Sequence, residues 1–424
     1  MTDESARPAG PGAVSRFRGW FWRPPRAHGE IDAERRVSFL ELFSDLVYVV
    51  VISQAARQLA GHLSLRGYAE FVVIFGVIWI AWANGTLYYE LHGREDGRTR
   101  TFVFIQMAIL ALLAVFTGDA AGDSGMAFAV VYVAFLAVMT WLWYAVRRQD
   151  RPEYMAITAR YLAAMAVSVV VIAASALLPA DARLIVWAAF VVGWLALMLY
   201  LGWQSRHRTT MGIVPTDSMV ERFDLLVIIV LGVVVVGVVN GMSAADHDPV
   251  TFATGFVALL VGFGLWWIFF DFAGRRQPRP GGLAVNVWME GHLPIAIAIV
   301  GAGAAMVGLI EHAHDPRTPA GTAWLLAGSV AMALLALGVT TRSLADYERH
   351  AALYRPLTLV MVVAALIALV VGWWQPAPWL LALAMAAILA VVWLFAVVRF
   401  LGIGASVAPD DPGHGSAVGP PSPG

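Results

Sequence analysis

The chain has 424 residues, is 60% apolar and 13% charged, and carries a mean hydropathy of +0.72 and a net charge of −1. A soluble domain holds about 25% charged residues, so this chain cannot cover a water-facing surface, and its charge balance argues against a nucleic-acid partner. It has no cysteine, hence no disulfide, thiolate nucleophile or Cys–metal site, and no lysine, so all 28 of its Lys/Arg cations are arginine.

The first 34 residues are polar and rich in Pro and Arg. With no apolar core between Met1 and Gly19 there is no signal peptide to read, and the first helix is expected to act as the insertion signal. The aromatic–basic stretch RFRGWFWRPPR, Arg16 to Arg26, suits a membrane-surface anchor and equally a disordered arm that supplies positive charge. Twelve apolar segments follow, at 37–60, 68–91, 101–118, 126–146, 156–178, 183–203, 221–243, 250–273, 286–310, 320–340, 355–373 and 378–401. Each is near the roughly 20 residues that span a bilayer as a helix. Residues 403–424 are Gly/Pro/Ser-rich and expected to be disordered.

Arginine placement supports this count. With the N-terminus inside, the segments placed inside hold 23 arginines and those placed outside hold four: Arg57, Arg66, Arg183 and Arg317. Arg160 lies in the first turns of the fifth span and can snorkel inward. One missed span would scramble the alternation, so the split predicts twelve spans with both termini cytoplasmic.

The two halves echo one another. Helix 1 opens with ELFSDLV (Glu41 to Val47) and helix 7 with ERFDLLV (Glu221 to Val227). Trp79 and Asn84 of helix 2 align with Trp266 and Asp271 of helix 8, Gln106 with His292, and Arg147 with Arg342. The expected architecture is therefore an all-α polytopic membrane protein of two parallel six-helix repeats, 37–203 and 221–402. A basic cytoplasmic arm (1–36) precedes them, a linker (204–220) joins them and a tail (403–424) follows.

An ionisable residue within a span costs about 2.5–3.5 kcal/mol on insertion scales and is a functional candidate by default. Asp45 lies about 12 Å into helix 1 at 1.5 Å per residue, and shares a face with Glu41, Ser44 and Tyr48. Helix 7 offers Glu221 and Asp224, and Asn84, Gln106, Asp271 and His292 sit in the cytoplasmic halves of their helices. Leaving out Tyr48, these nine residues predict one polar cluster, as a cation or proton site or the polar vestibule of a pathway. Glu41 and Glu221 also suit helix N-termini, where the dipole favours carboxylates, and the neighbouring Arg36 and Arg222 can pair with acids. His292, before Pro294, reads either as a titrating switch or as a hydrogen-bonded core histidine. Gly237 and Gly241 form a GxxxG packing face. No metal-ligand pair, cofactor loop or catalytic triad is present, and no loop between spans reaches 20 residues, so neither an enzyme nor a cofactor is expected.

VSFLELFSDLVYVVVISQAARQLAGHL (Val37 to Leu63) resembles the opening signature of the bacterial low temperature requirement protein A family, ELFFDLVFVFAI. Trp82 to Arg98, Glu221 to Gly232 and Glu290 to Pro316 resemble that family's second, seventh and ninth helices. Where the family continues its seventh-helix motif as LGES, this chain has Leu231, Gly232, Val233 and Val234. The resemblance implies a multi-pass protein of the bacterial cytoplasmic membrane. Arg36 with Phe43, Ser44 and Asp45 is also similar to the R-x-x-x-F-S-D signature of potassium channels built from six-helix repeats, although Arg36 stands seven before Phe43 and Leu46 replaces the signature glycine. The functional expectation is a channel or transporter for a small cation or a proton-coupled solute. The alternatives are a non-transporting scaffold or sensor and a major-facilitator-like transporter, for which GREDGRTR from Gly93 is a poor signature match. Expected partners are the lipid bilayer and a small cation or proton, with a homo-oligomer left open.

Overall fold

The computed structural model describes residues 21, 23–30, 35, 37–94, 96–204 and 215–407. Among these residues it contains twelve long helices and no strand: α1 (Phe39–Gly61), α2 (Leu65–His92), α3 (Gly97–Thr117), α4 (Gly125–Arg147), α5 (Met155–Ser175), α6 (Ala180–Gln204), α7 (Asp217–Ala244), α8 (Pro249–Phe272), α9 (Gly282–Glu311), α10 (Ala320–Thr341), α11 (Ala351–Trp374) and α12 (Pro378–Val407). All twelve are long and apolar enough to cross a membrane.

Of the capped helices, α2, α3 and α7 start three or four residues before their apolar run, while α1 starts at Phe39, two residues inside it. Ser38 accepts from the Glu41 amide while the Glu41 carboxylate accepts from the Ser38 amide, a capping box. Asp96 caps α3 and Thr216 caps α7. These caps satisfy amides that the first helical turn leaves unpaired. At the far end, α12 continues through Val407, past the expected start of the tail at 403. The rest of that tail lies outside the described residues, as does most of the linker, 205–214.

Two helices form the interior. On α9 every side chain from Ile295 to Met306 is buried, and on α2 nearly every residue from Ile74 to Glu90 is. The run Gly301–Ala305 lets neighbours close on α9: a Cβ at Gly303 would lie 2.8 Å from Val234 Cγ2 and 3.2 Å from Val234 Cα on α7. Gly237 and Gly241 also face α9, but a Cβ there would meet Val307 and Ile310 at ordinary contact, 3.5–3.7 Å. The tight approach therefore belongs to Gly303: its Cβ would stand 3.2 Å from the Val234 main chain, where the Gly241 Cβ would stand 3.8 Å from that of Val307. The outer helices leave Val115, Val170, Val192 and Leu366 exposed, as lipid-facing surfaces require. Corresponding helices of the two halves pack on corresponding partners: α1 on α3 and α7 on α9, α2 on α6 and α8 on α12.

Residues 23–30, expected in a disordered arm, are instead docked on the helix ends. The last turn of α2 leaves carbonyls without helical partners. Those of Tyr89 and Glu90 accept from the Arg26 guanidinium, and that of His92 accepts from the Arg26 amide at 3.1 Å. Arg94 and Gln149 donate to the carbonyls of Pro24 (3.0 Å) and Pro25 (2.7 Å). His28 is buried, stacked on Tyr154, edge-on to His92, and 2.8 Å from an Asp150 carboxylate oxygen. Burial pushes the His28 imidazole below its ordinary pKa, against an upward pull from Asp150. A docked His28 therefore binds protons less readily than a released one. Docking is at full strength above about pH 6.5 and weakens as pH falls below it.

Trypsin cleavage after Arg26, taken relative to cleavage after the exposed Arg349, should therefore rise between pH 7.5 and 5.5. At pH 7.5, His28→Ala should raise that ratio about ten-fold, within the ~1–3 kcal/mol range for a lost buried partner. A ratio insensitive to both changes would show that His28 does not hold the arm.

Candidate functional site

The site is built from the capped start of α1. The capping box holds Glu41 in the first turn, where its carboxylate also receives Arg35. One turn deeper, Asp45 is 1% exposed. One of its oxygens accepts from Trp82 Nε1 of α2 at 3.1 Å and from the Arg222 guanidinium of α7 at 3.1 Å. The other finds no hydrogen-bond partner in the protein. Arg222 is itself 3% exposed, and its second terminal nitrogen lies 3.7 Å from Glu41.

Helix phase explains why Arg222 is the residue of α7 that reaches α1. Ser218 and Arg222, four apart, share one face, and both point at α1 and α2. Ser218 donates to Glu90 of α2 at 2.9 Å, Thr216 does so at 2.6 Å, and Arg35 bridges Glu90 to Glu41. The result is a chain of alternating charge, Asp45–Arg222–Glu41–Arg35–Glu90, that ties the start of α1 and the end of α2 to the start of α7. Beside it lies a cavity of about 10 Å³, room for about one water, lined by Glu41, Ser44, Tyr48, Thr86, Tyr89 and Gln106 among others. Tyr89 donates to Gln106 at 2.9 Å.

Four of the nine predicted site residues thus meet: Glu41, Ser44, Asp45 and Gln106. The other five lie elsewhere. Glu221 is exposed, turned about 100° from the Arg222 face. Asp224 turns to the loop after α8 and accepts from the Arg275 amide at 2.8 Å. Asp271 is exposed and accepts from Trp393 at 2.7 Å. Asn84 accepts from Tyr161 of α5. His292 is buried, with Nδ1 2.7 Å from the Trp288 carbonyl, and the Phe223 ring stands between it and Trp82. The single cluster expected from both repeats is therefore confined to α1, α2, α3 and the Ser218–Arg222 face of α7. Arg222 pairs across to helix 1 and not with the acids beside it in sequence, while Arg36 lies outside the described residues.

Arg35, Glu90, Ser218 and Trp82 escaped sequence reasoning. The signal available was charge balance: a buried Asp45 demands a cation, and Arg222 is the arginine within the first turns of the helix 7 repeat. Among the described residues no group of three or more His, Asp or Glu could hold a metal ion. The arrangement can bind and release a proton or cation at its carboxylates.

Comparison with known proteins agrees with the residues of helix 1. Residues 36–397 match the bacterial low temperature requirement A protein family (LtrA). An uncharacterized protein of Rhizobium meliloti (strain 1021) is 26% identical over 287 residues, which is 63% of this chain and 68% of that relative. No solved structure matches, so the likeness to six-helix-repeat potassium channels rests on the helix 1 residues alone. With twelve candidate spans and a family match over most of its length, the chain is a multi-pass membrane protein belonging to the bacterial low temperature requirement A family.

Proposed function

We propose that the protein is a channel or transporter for a small cation or a proton-coupled solute, with its pathway passing the Asp45–Arg222 pair. The observation that carries this reading is a carboxylate 1% exposed, nearly two turns inside a spanning helix, with one oxygen engaged and the other unpartnered in the protein. Ionisable groups inside spans mark ion and proton pathways by default. A buried ion pair gives little stability over an apolar filling of the same volume, so folding alone is a weak reason for one here. A proton or cation arriving at Asp45 competes with Arg222 for the same carboxylate. Released Arg222 has Glu41 beside it, which leaves its charge compensated in both states. Because the pair joins α1 to α7, that exchange couples site occupancy to the packing of the two halves. The matching helix partners in each half support two parallel repeats, and the arginine split supports cytoplasmic termini in the bacterial cytoplasmic membrane.

The test is flux in proteoliposomes under imposed potassium, sodium and proton gradients in turn. Wild type should carry one of these, and Asp45→Asn should reduce that flux at least ten-fold. Absence of flux under every gradient, from protein shown to be folded, would count against transport of a small cation.

A further inference from the structure

A larger cavity, about 1160 Å³, opens at the arginine-rich end between the docked arm, the start of α1, the end of α2 and the start of α3. Its lining holds five arginines, Arg23, Arg26, Arg35, Arg94 and Arg100, against two carboxylates, Glu41 and Asp96. Most of these arginines are already engaged: Arg26 by the Tyr89 and Glu90 carbonyls, Arg35 by Glu41 and Glu90, and Arg94 by Glu30 at 2.8 Å, while Asp96 caps α3. Arg100 is exposed and engages no partner among the described residues. The outer rim is apolar: Phe39 of α1 is 91% exposed and Phe104 of α3 is 54% exposed. Both rings stand on the outer faces of spanning helices, where lipid chains lie. Cationic floor and aromatic rim thus meet at the level where a spanning helix leaves the hydrocarbon.

We propose that this cavity binds one anionic phospholipid, with its phosphate on the Arg100 guanidinium at the mouth and an acyl chain against Phe39 and Phe104. Arginine suits the task because its fork pairs two phosphate oxygens at once. Basic pockets between spanning helices are the usual way such headgroups are held. A free phosphate would use the arginines but would gain nothing from the exposed rings. The site is independent of the transport reading: it needs neither Asp45 nor flux.

The experiment is native mass spectrometry of the purified full chain, in detergent supplemented with phosphatidylglycerol, with phosphatidylcholine, or with inorganic phosphate and phosphatidylglycerol together. Wild type should retain one phosphatidylglycerol in preference to phosphatidylcholine, and millimolar phosphate should not displace it. Arg100→Gln should weaken retention about five-fold, the share of one arginine near a lipid headgroup. Arg355→Gln, an exposed arginine at the same end and outside the cavity, should change nothing. Phe104→Ser should weaken retention with the arginines intact. Equal retention of the two lipids, or identical behaviour of Arg100→Gln and Arg355→Gln, overturns the proposal. Displacement by inorganic phosphate also overturns it, assigning the cavity to a soluble anion.

Discussion

Replacing Arg222 by alanine should destabilise the protein by about 3–5 kcal/mol, the range for removing one partner of a buried ion pair. The cost arises because Asp45 stays where it is, 1% exposed, and keeps only the Trp82 indole as a donor. Glu41 loses its neighbour at 3.7 Å but retains Arg35 and the Ser38 amide, so the damage centres on Asp45. Thermal unfolding in detergent should show a fall in Tm of about 3–6 °C, since a chain of 424 residues unfolds with an entropy of about 2.1 cal/mol/K per residue. Removing both charges, Asp45→Asn with Arg222→Gln, should restore most of the loss, because the expense lies in the uncompensated charge. A single Arg222→Ala as stable as wild type would mean that Asp45 has another source of compensation.

The second large effect is steric. Gly303→Leu should cost about 3 kcal/mol or more by forcing α7 from α9, since its Cβ alone meets Val234 Cγ2 at 2.8 Å and the Val234 main chain at 3.2 Å. Core side chains have little room to yield. Gly232→Ala on α7 is the matched control: its Cβ meets nothing within 4 Å. Helix propensity then favours alanine by up to about 1 kcal/mol. Folded yield and Tm should therefore move in opposite directions for the two variants. Equal behaviour would contradict the close α7–α9 contact.

Twelve spans and their approximate limits were legible because hydropathy and arginine alternation both act along the chain. The starts of α3 and α7 were read at 101 and 221, four residues late, because Asp96 and Thr216 carry helix into polar sequence that hydropathy discards. Asp45 was found because depth in a span is a one-dimensional property. Its partner was harder to place. Arg222 stands between Glu221 and Asp224 in sequence, yet successive helical residues turn by about 100°, which sends Glu221 outward and Asp224 toward Arg275. Glu90, at the end of helix 2, drew no reading from sequence, because only tertiary packing sets it against Ser218, Thr216 and Arg35. The alignment of Asn84 with Asp271 and of Gln106 with His292 matched positions in sequence, and the side chains there meet different neighbours.

The claim that most needs testing is that the Asp45–Arg222 pair serves ion movement and not folding alone. Three proteins, wild type, Asp45→Asn and the doubly neutral Asp45→Asn/Arg222→Gln, should be reconstituted side by side and their Tm and cation or proton flux compared. The double variant should regain near-wild-type Tm while its flux stays at least ten-fold below wild type. Flux that returns together with stability would contradict that claim, and would reduce the pair to a structural link between α1 and α7.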